Sequence, residues 1–477
     1  MRNYTKFYIG GEWIEPTSAR TLDVFNPATE KVAGKISLGS VGDVDKAVKA
    51  ARNAFDFWSQ TSIDERIAMV VKIAEVYKKR ANAIGEAITE EMGAPAWLAG
   101  GPQTMSVIGH LMTAIDAMKD FKFVEDKGAS RVVKEPIGVC GFITPWNWPM
   151  NQLAAKFAPA ILTGCTIVHK PSEIAPFSAY IFAETLDEAG LPAGVYNLVN
   201  GDGPIVGAAI SSHPNIDMVS FTGSTRAGVE VAKAAAPSVK RVHQELGGKS
   251  PNIILEDADL DAAVTGSLAT LMMNSGQSCL APTRMIAPKS KMKEIIEIAK
   301  NAVEDWTPGE PATAKMGPVV SESQWNKIQG LIEKGVAEGA TVITGGPGKP
   351  EGLETGYYVK PTIFADVTND MTIAREEIFG PVLVIIGYDT EDEAIKIAND
   401  TEYGLAGYVQ SGDIDHARKV ASKIRAGYIN INNSQMDFSV PFGGYKRSGN
   451  GREFGEHAFD EFLELKSMLG HNPASAA

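Results

Sequence analysis

Residues 137–173 read IGVCGFITPWNWPMNQLAAKFAPAILTGCTIVHKPSE, and this stretch decides the fold. An apolar, β-rich run at 138–144 gives way to a proline-bounded turn, a helix-length segment at 151–162, a glycine, and a second β-rich run at 166–169. That is strand, helix, strand. Downstream the same alternation continues, with β-rich runs at 195–199, 218–222 and 239–245 and helix-length segments at 178–189, 205–211 and 226–235. Strands and helices alternating at this spacing predict a mostly parallel, doubly wound α/β sheet. Ligands on such a sheet bind beyond the carboxyl ends of its strands.

On the N-terminal side, the first 120 or so residues read as mainly helical after a short extended lead. Val44, Val48, Ala51 and Phe55 recur at helical spacing, and Ser62-Ile63-Asp64-Glu65 is a capping box that opens the next helix. That helix carries Ile67, Val70, Val71 and Ala74 on one side and stops before Gly93-Ala94-Pro95. The segment 121–135 alternates loosely, like an extended arm, and patterning alone does not place it. On the C-terminal side a second α/β region spans about 248–445, with strands near 252–255, 382–388 and 427–431 and helices near 291–305, 324–338 and 391–400. No fixed-period repeat is present, and the one low-complexity tract is the tail 472–477.

The 477 residues correspond to about three domains at ~150 residues each. With 44% hydrophobic and 22% charged residues, the composition excludes disorder and fibrous repeats. Forty-five basic against 58 acidic residues leave a net charge of −13, which argues against a nucleic-acid partner. Cys140, Cys165 and Cys279 are odd in number and lack CxxC spacing, so a reducing compartment, the cytoplasm, is expected. The N-terminal residues lack the apolar core of a signal peptide. Two uncharged stretches, 136–155 and 262–283, are long enough to span a bilayer, but their Pro, Gly, Asn, Gln and Ser content does not suit lipid. No membrane partner is expected. They read either as buried core or as a desolvated site.

Cys279 lies in Asn274-Ser275-Gly276-Gln277-Ser278-Cys279-Leu280, among small residues, where a reachable thiolate would be a good nucleophile. Cys140 and Cys165 lie instead in apolar runs that suit buried, inert thiols. Glu245 ends a predicted strand and is followed by Gly247-Gly248; its position fits an exposed turn residue and a general base equally well. In Pro145-Trp146-Asn147-Trp148-Pro149, two prolines fix a loop and two indoles flank one amide, so Asn147 is either part of a plain turn or a donor to an oxyanion. Thr222-Gly223-Ser224 follows a strand and opens a helix, a setting that favours phosphate. A complete GxGxxG is missing, because Gly201 and Gly203 are followed by Gly207 one residue late. Lys170 and Glu173 in His169-Lys170-Pro171-Ser172-Glu173 suit a ribose diol. The seven histidines show no ligand spacing, so no metal site is expected. The absence of GxSxG argues against a serine hydrolase of that type.

Together PWNWP, KPSE, FTGS, ELGGKSP, GQSC, EEIFGP (376–381) and PFGGYKRSGNGRE (441–453) resemble the aldehyde dehydrogenase superfamily in order and spacing, over nearly the whole chain. The resemblance implies a Rossmann-like NAD(P)-binding domain at 1–120 and 137–247 and an α/β catalytic domain at 248–447. It also implies a small β bridging and oligomerisation element at 121–136 and 448–477, completing a homodimer or homotetramer. The resemblance further implies that the pyrophosphate is not held by a GxGxxG loop.

By the same resemblance Cys279 matches the nucleophile, Glu245 the general base and Asn147 the oxyanion donor, with Lys156 and Glu453 at the edge of the site. The cofactor positions are Thr144, Trp146, Lys170, Ser172, Glu173, Gly203, Thr222, Gly223, Ser224, Leu246, Glu377 and Phe379. The cofactor implied is NAD, with NADP left open. Trp148, Gln152, Met273, Met436 and Phe442 match the lining of the aldehyde tunnel, with Ser278 and Leu280 beside the nucleophile. The implied reaction takes an aldehyde through a cysteine thiohemiacetal and thioester to a carboxylic acid. Two alternatives are an acylating enzyme that passes the thioester to coenzyme A and a non-catalytic protein on the same scaffold. Glu245, present where coenzyme-A-dependent members generally lack a base, favours water as the acceptor.

Overall fold

The computed structural model describes residues 1–472; the rest of the tail and of the segment 448–477 lies outside the described residues. The stretch at 137–173 forms the centre of an eight-stranded sheet. Its five parallel strands run, side by side, Arg241–Glu245, Met218–Thr222, Val139–Ile143, Thr166–Lys170 and Tyr196–Leu198. The chain winds from Val139–Ile143 out to one edge and then returns to the other side at Met218–Thr222. The turns leaving those two neighbouring strands therefore diverge, and a crevice opens between them.

Both faces of this sheet are covered, which is why its strands read as near-continuous apolar runs. Cys140 and Phe142 face the helices Pro149–Thr163 and Phe177–Ala189, whereas Val139 and Ile143 face Val41–Trp58 and its neighbours, as alternation along a strand requires. The Ser62 capping box and the helix stop at Gly93 form as expected, over Ile63–Met92.

The N-terminal lead is longer and richer in strand than its periodicity predicts. Phe7–Ile9 and Glu12–Ile14 add an antiparallel edge to the large sheet, while Arg2–Tyr4, Lys31–Ser37 and Thr21–Asn26 form a separate three-stranded sheet. Strands of three residues are too short for alternation to register.

The second α/β region holds a seven-stranded sheet. Its strands Pro251–Ile254, Val382–Tyr388 and Tyr428–Ile431 match expectation; Arg284–Pro288, Thr341–Thr344, Thr362–Ala365 and Ala406–Gln410 add to them. The uncharged stretch 262–283 is mostly the helix Leu260–Met272, buried on one side, and the loop after it. The arm at 121–135 folds as a hairpin of Val124–Lys127 and Ser130–Pro136, to which Leu463–Met468 pairs antiparallel. Gly449–Asn450, although within 448–477, pairs instead with Arg241–Glu245 at the edge of the large sheet.

Candidate active site

Two loops meet beyond the carboxyl ends of the parallel strands. One, at 145–148, leads into the helix Pro149–Thr163, whose first residue is a proline that loses no helical hydrogen bond. The other, at 273–279, follows Leu260–Met272 and turns sharply. Asn274 and Ser275 sit at φ 57°, and Gly276 at φ 73°. A Cβ at Gly276 would lie 2.1 Å from the Gly380 carbonyl oxygen, so only glycine fits.

Cross-ties lock the loops together. Asn274 Nδ2 donates to the Asn147 carbonyl at 2.8 Å, and Trp148 Nε1 donates to Ser278 Oγ at 2.8 Å. Asn147 Nδ2 donates to the Gln277 carbonyl at 3.0 Å, and Gln277 is itself pinned by the Val320 N–H at 2.9 Å.

Cys279 lines two cavities. The larger, about 380 Å³, is also walled by Trp148, Gln152, Met273, Met436, Phe442 and Glu453. The smaller, about 190 Å³, fills the crevice and is walled by Trp146, Asn147, Thr222, Gly223, Ser224, Leu246, Glu377 and Phe379; Gln152 borders both. Leu280 and Ser278 border the larger one beside Cys279. The five expected substrate residues thus line the larger chamber and seven of the twelve expected cofactor residues line the smaller, and the two chambers share one thiol.

Burial, then the carboxylates of Glu245, Glu377 and Glu453, push the Cys279 thiol well above its ordinary value. Glu245 ends the strand Arg241–Glu245 but lines neither chamber. Its side chain is retracted: both carboxyl oxygens are buried without a hydrogen-bond partner among the described residues. Burial, with Glu453 adding repulsion, holds this carboxyl well above the usual range. Lys156 and Glu453 form a buried ion pair, 0% and 3% exposed.

The smaller chamber and the strand ends beside it suit a dinucleotide. Ser224 caps the helix Thr225–Ala235, whose N-terminus borders the chamber and favours an anion. Thr222 Oγ1 is buried there without a partner among the described residues. Glu377 Oε1 accepts the Gly248 N–H at 2.8 Å. A Cβ at Gly247 would come within 2.5 Å of that carboxylate, so glycine admits it. The Phe379 ring stands edge-on to Trp146 at 5.4 Å.

Thr144, Lys170, Ser172, Glu173 and Gly203 lie outside the chamber lining. Lys170 Nζ donates to Glu173 Oε2 at 3.0 Å and to the Pro171 carbonyl at 2.9 Å. Ser172 Oγ accepts the Ile174 N–H at 3.3 Å, and Thr144 donates its N–H to the Lys170 carbonyl at 3.1 Å. Gly203 begins the turn capped by Asp202.

Several residues at the site escaped the sequence reading. Tyr408, Tyr428, Phe438 and Phe454 line the larger chamber, and Gln324 and Lys327 the smaller. Phe438 and Phe454 flank the PFGGYKRSGNGRE motif, which was their available signal. His243 lies two residues before Glu245 on the same strand and so shares its face of the sheet; that spacing was its available signal. Among the described residues no group of three His, Cys, Asp or Glu side chains is arranged to hold a metal, and no helix is long and apolar enough to cross a membrane.

Comparison with known proteins gives this arrangement a family. The chain is 55% identical to a 3-succinoylsemialdehyde-pyridine dehydrogenase of a Pseudomonas species over 474 residues, 99% of each chain. Aldehyde dehydrogenase C of Pseudomonas syringae, solved as a mutant in complex with NAD+ and octanal, superposes with a TM-score of 0.97 at 50% identity, covering 98% of this chain and 97% of that one. An aldehyde dehydrogenase of Mycobacterium tuberculosis complexed with NAD+ gives 0.95 at 43% identity, covering 98% of each. The model of the aldehyde dehydrogenase family matches residues 13–468. With its thiol shared by two chambers at the crevice of a doubly wound sheet, the chain belongs to the aldehyde dehydrogenase family and is an enzyme that oxidises aldehydes.

Proposed function

We propose that Cys279, Asn147 and Glu245 convert an uncharged aldehyde to its carboxylic acid, with NAD+ as the oxidant. The observation that carries this reading is the position of Cys279 on the shared wall of the two chambers. An aldehyde in the larger chamber and a dinucleotide in the smaller would meet at one sulfur. NAD+ is carried over from the P. syringae and M. tuberculosis proteins, which hold it in their structures.

The Cys279 thiol gives its proton to water and its Sγ adds to the aldehyde carbon, the carbonyl π pair moving to oxygen, to form a thiohemiacetal. One Asn147 Nδ2 hydrogen is committed to the Gln277 carbonyl, which orients the amide; the other is free for the developing oxyanion. When bound, NAD+ supplies the hydride acceptor. Loss of hydride leaves a thioester on Cys279. Glu245, swung out of its retracted position as the carboxylate, takes a proton from water while the hydroxide adds to the thioester carbon; the C–S bond then breaks, releasing the acid and the Cys279 thiolate, and Glu245 gives its proton up to solvent. Lys156 and Glu453 hold a fixed charge pair beside this path.

The substrate class follows from the larger chamber. Its wall combines aromatic rings and thioethers with neutral amides and hydroxyls, and among the described residues Glu453 is its one charged side chain. Without lysine or arginine it supplies no countercharge to a carboxylate or phosphate, so uncharged, medium-sized alkyl and aryl aldehydes fit best. The octanal in the P. syringae structure is of this kind.

Residues 1–120 and 137–247 are assigned to NAD+ binding, 248–447 to the thiol domain, and 121–136 with 448–477 to bridging. The exposed apolar side chains Val124, Leu465 and Met468 on the bridging strands support a homodimer or homotetramer. Three free cysteines support the cytoplasm.

The test is product analysis with a panel of aldehydes. Acid and NADH in equal amounts, without any added thiol, are expected, with octanal or benzaldehyde favoured at least about tenfold in kcat/KM over a carboxylate-bearing semialdehyde. Dependence on coenzyme A, or no NADH with any aldehyde, would overturn the reading.

A further inference from the structure

Behind Glu245 lies a small polar site that the reaction above does not use. His243 is 1% exposed, and its Nδ1 pairs with Ser220 Oγ at 3.0 Å. Its Nε2 has no hydrogen-bond partner among the described residues, and it faces Glu245 Oε1 at 3.8 Å, which has none among them either. Two glycines make room for these groups. A Cβ at Gly443 would lie 2.8 Å from Glu245 Oε1, and one at Gly451 would lie 2.1 Å from the His243 ring. Both glycines belong to the PFGGYKRSGNGRE motif. The space is therefore shaped around a retracted carboxyl and an imidazole.

A buried carboxylate without a single donor is costly, whereas a neutral carboxylic acid needs only one acceptor for its proton. With Nδ1–H donated to Ser220, the lone pair of His243 Nε2 is that acceptor, and a small torsion closes the gap. We propose that His243 is a positioning residue that accepts a hydrogen bond from protonated Glu245 in its retracted state, and so controls how readily the base is released toward the thioester. This rests on the reading of Glu245 as the base.

The charged groups around the pair agree with this assignment. Burial, Lys156 and Arg452 hold His243 far below its ordinary value, so it stays neutral and leaves the proton on Glu245. Burial, Glu453 and Glu461 favour the protonated carboxyl, and Lys156 and Arg452 oppose it. No proton changes owner in the retracted state; a hydrogen bond forms there and breaks when Glu245 deprotonates and swings out.

The test measures the NADH burst and the subsequent thioester hydrolysis separately, as functions of pH, in the enzyme with NAD+ and octanal. Replacing the acceptor in His243→Leu should leave the burst rate unchanged and move the acid limb of hydrolysis about one pH unit lower, making hydrolysis below the limb about tenfold faster. His243→Gln, whose amide oxygen can accept the same proton, should restore the wild-type limb. Ser220→Ala, which frees the tautomer, should shift the limb in the same direction by less. A wild-type limb in His243→Leu, or a shift to higher pH, would overturn the proposal. If His243→Leu loses the burst through misfolding, Ser220→Ala decides by the same criterion. Glu245→Gln separates the two readings: if it hydrolyses the thioester at the wild-type rate, the base assignment itself fails. If it stalls while the His243 variants keep the wild-type limb, only the role of His243 fails.

Discussion

Asn147 and Gln277 are joined across the active-site crevice: the Asn147 amide donates one Nδ2 hydrogen to the Gln277 carbonyl at 3.0 Å, and that carbonyl lies two residues before the thiol of Cys279. The bond fixes the amide plane before any substrate arrives. The second hydrogen is then aimed without a rotational search, which is the condition for an oxyanion donor to act mainly in the transition state.

Removing this donor in Asn147→Ala should lower kcat/KM about 10²–10³-fold, the usual loss for one oxyanion-hole donor. The loss should fall on the NADH burst, because thiohemiacetal formation precedes it. A burst at the wild-type rate, with only hydrolysis slowed, would show that the amide serves a different step.

Cys279→Ala should abolish aldehyde oxidation while leaving NAD+ binding near normal, as measured by titration calorimetry. The thiol forms one edge of the smaller chamber, whereas the groups suited to phosphate and ribose lie at and just beyond the ends of the sheet strands. Retained oxidation in this variant would remove Cys279 from the chemistry.

Alkylation by iodoacetamide offers a pH-dependent test of the thiol's surroundings. Burial and three carboxyl groups raise the Cys279 pKa, so in the cofactor-free protein the thiolate is scarce at neutral pH. Because only the thiolate reacts, the rate should climb about tenfold per pH unit through pH ~9 without levelling. A plateau below pH ~8 would mean that the thiol is activated in the free enzyme.

Much of this site was legible before the fold was known, for reasons that can be stated residue by residue. The crevice was readable because the strands ending at Ile143 and Thr222 are five-residue apolar runs followed at once by turn residues. The two chambers, in contrast, depend on the left-handed turn at Asn274 and Ser275, where no periodic signal exists. The early strands such as Phe7–Ile9 were hidden by their shortness, and Gly449–Asn450 by its two-residue length. The retraction of Glu245 was not legible at all, since it depends on space left by glycines about 200 residues downstream.

The buried pair of Lys156 and Glu453 brings together two side chains 297 residues apart in sequence. Lys156→Met would strand Glu453 without its counter-charge, and breaking a buried pair in this way costs about 3–5 kcal/mol. Urea unfolding should register that loss, and the double variant Lys156→Met/Glu453→Leu should recover most of it. Equal stability in all three proteins would show that water reaches the pair from the larger chamber.

Cofactor choice should turn on Glu173. Its carboxylate accepts from Lys170 Nζ at 3.0 Å, and the Lys170 side chain is 3% exposed while that of Glu173 is 32% exposed. The cation is thus spent inside the pair, and the carboxylate is the member presented to an approaching ribose. A free diol can donate to that carboxylate, whereas the 2′-phosphate of NADP would bring like charges together. Solvent screening on the exposed side reduces the penalty to ~1–3 kcal/mol, or about ten- to a hundredfold in affinity. Glu173→Gln removes the repulsion and at the same time frees Lys170 to meet the phosphate. The ratio of kcat/KM for NADP to that for NAD should therefore rise about ten- to a hundredfold in this variant, at fixed octanal and ionic strength. The rise should shrink in high salt, because both contributions are electrostatic. An NADP preference in the unmodified enzyme, or an unchanged ratio in Glu173→Gln, would place the discrimination elsewhere in the strand-end row.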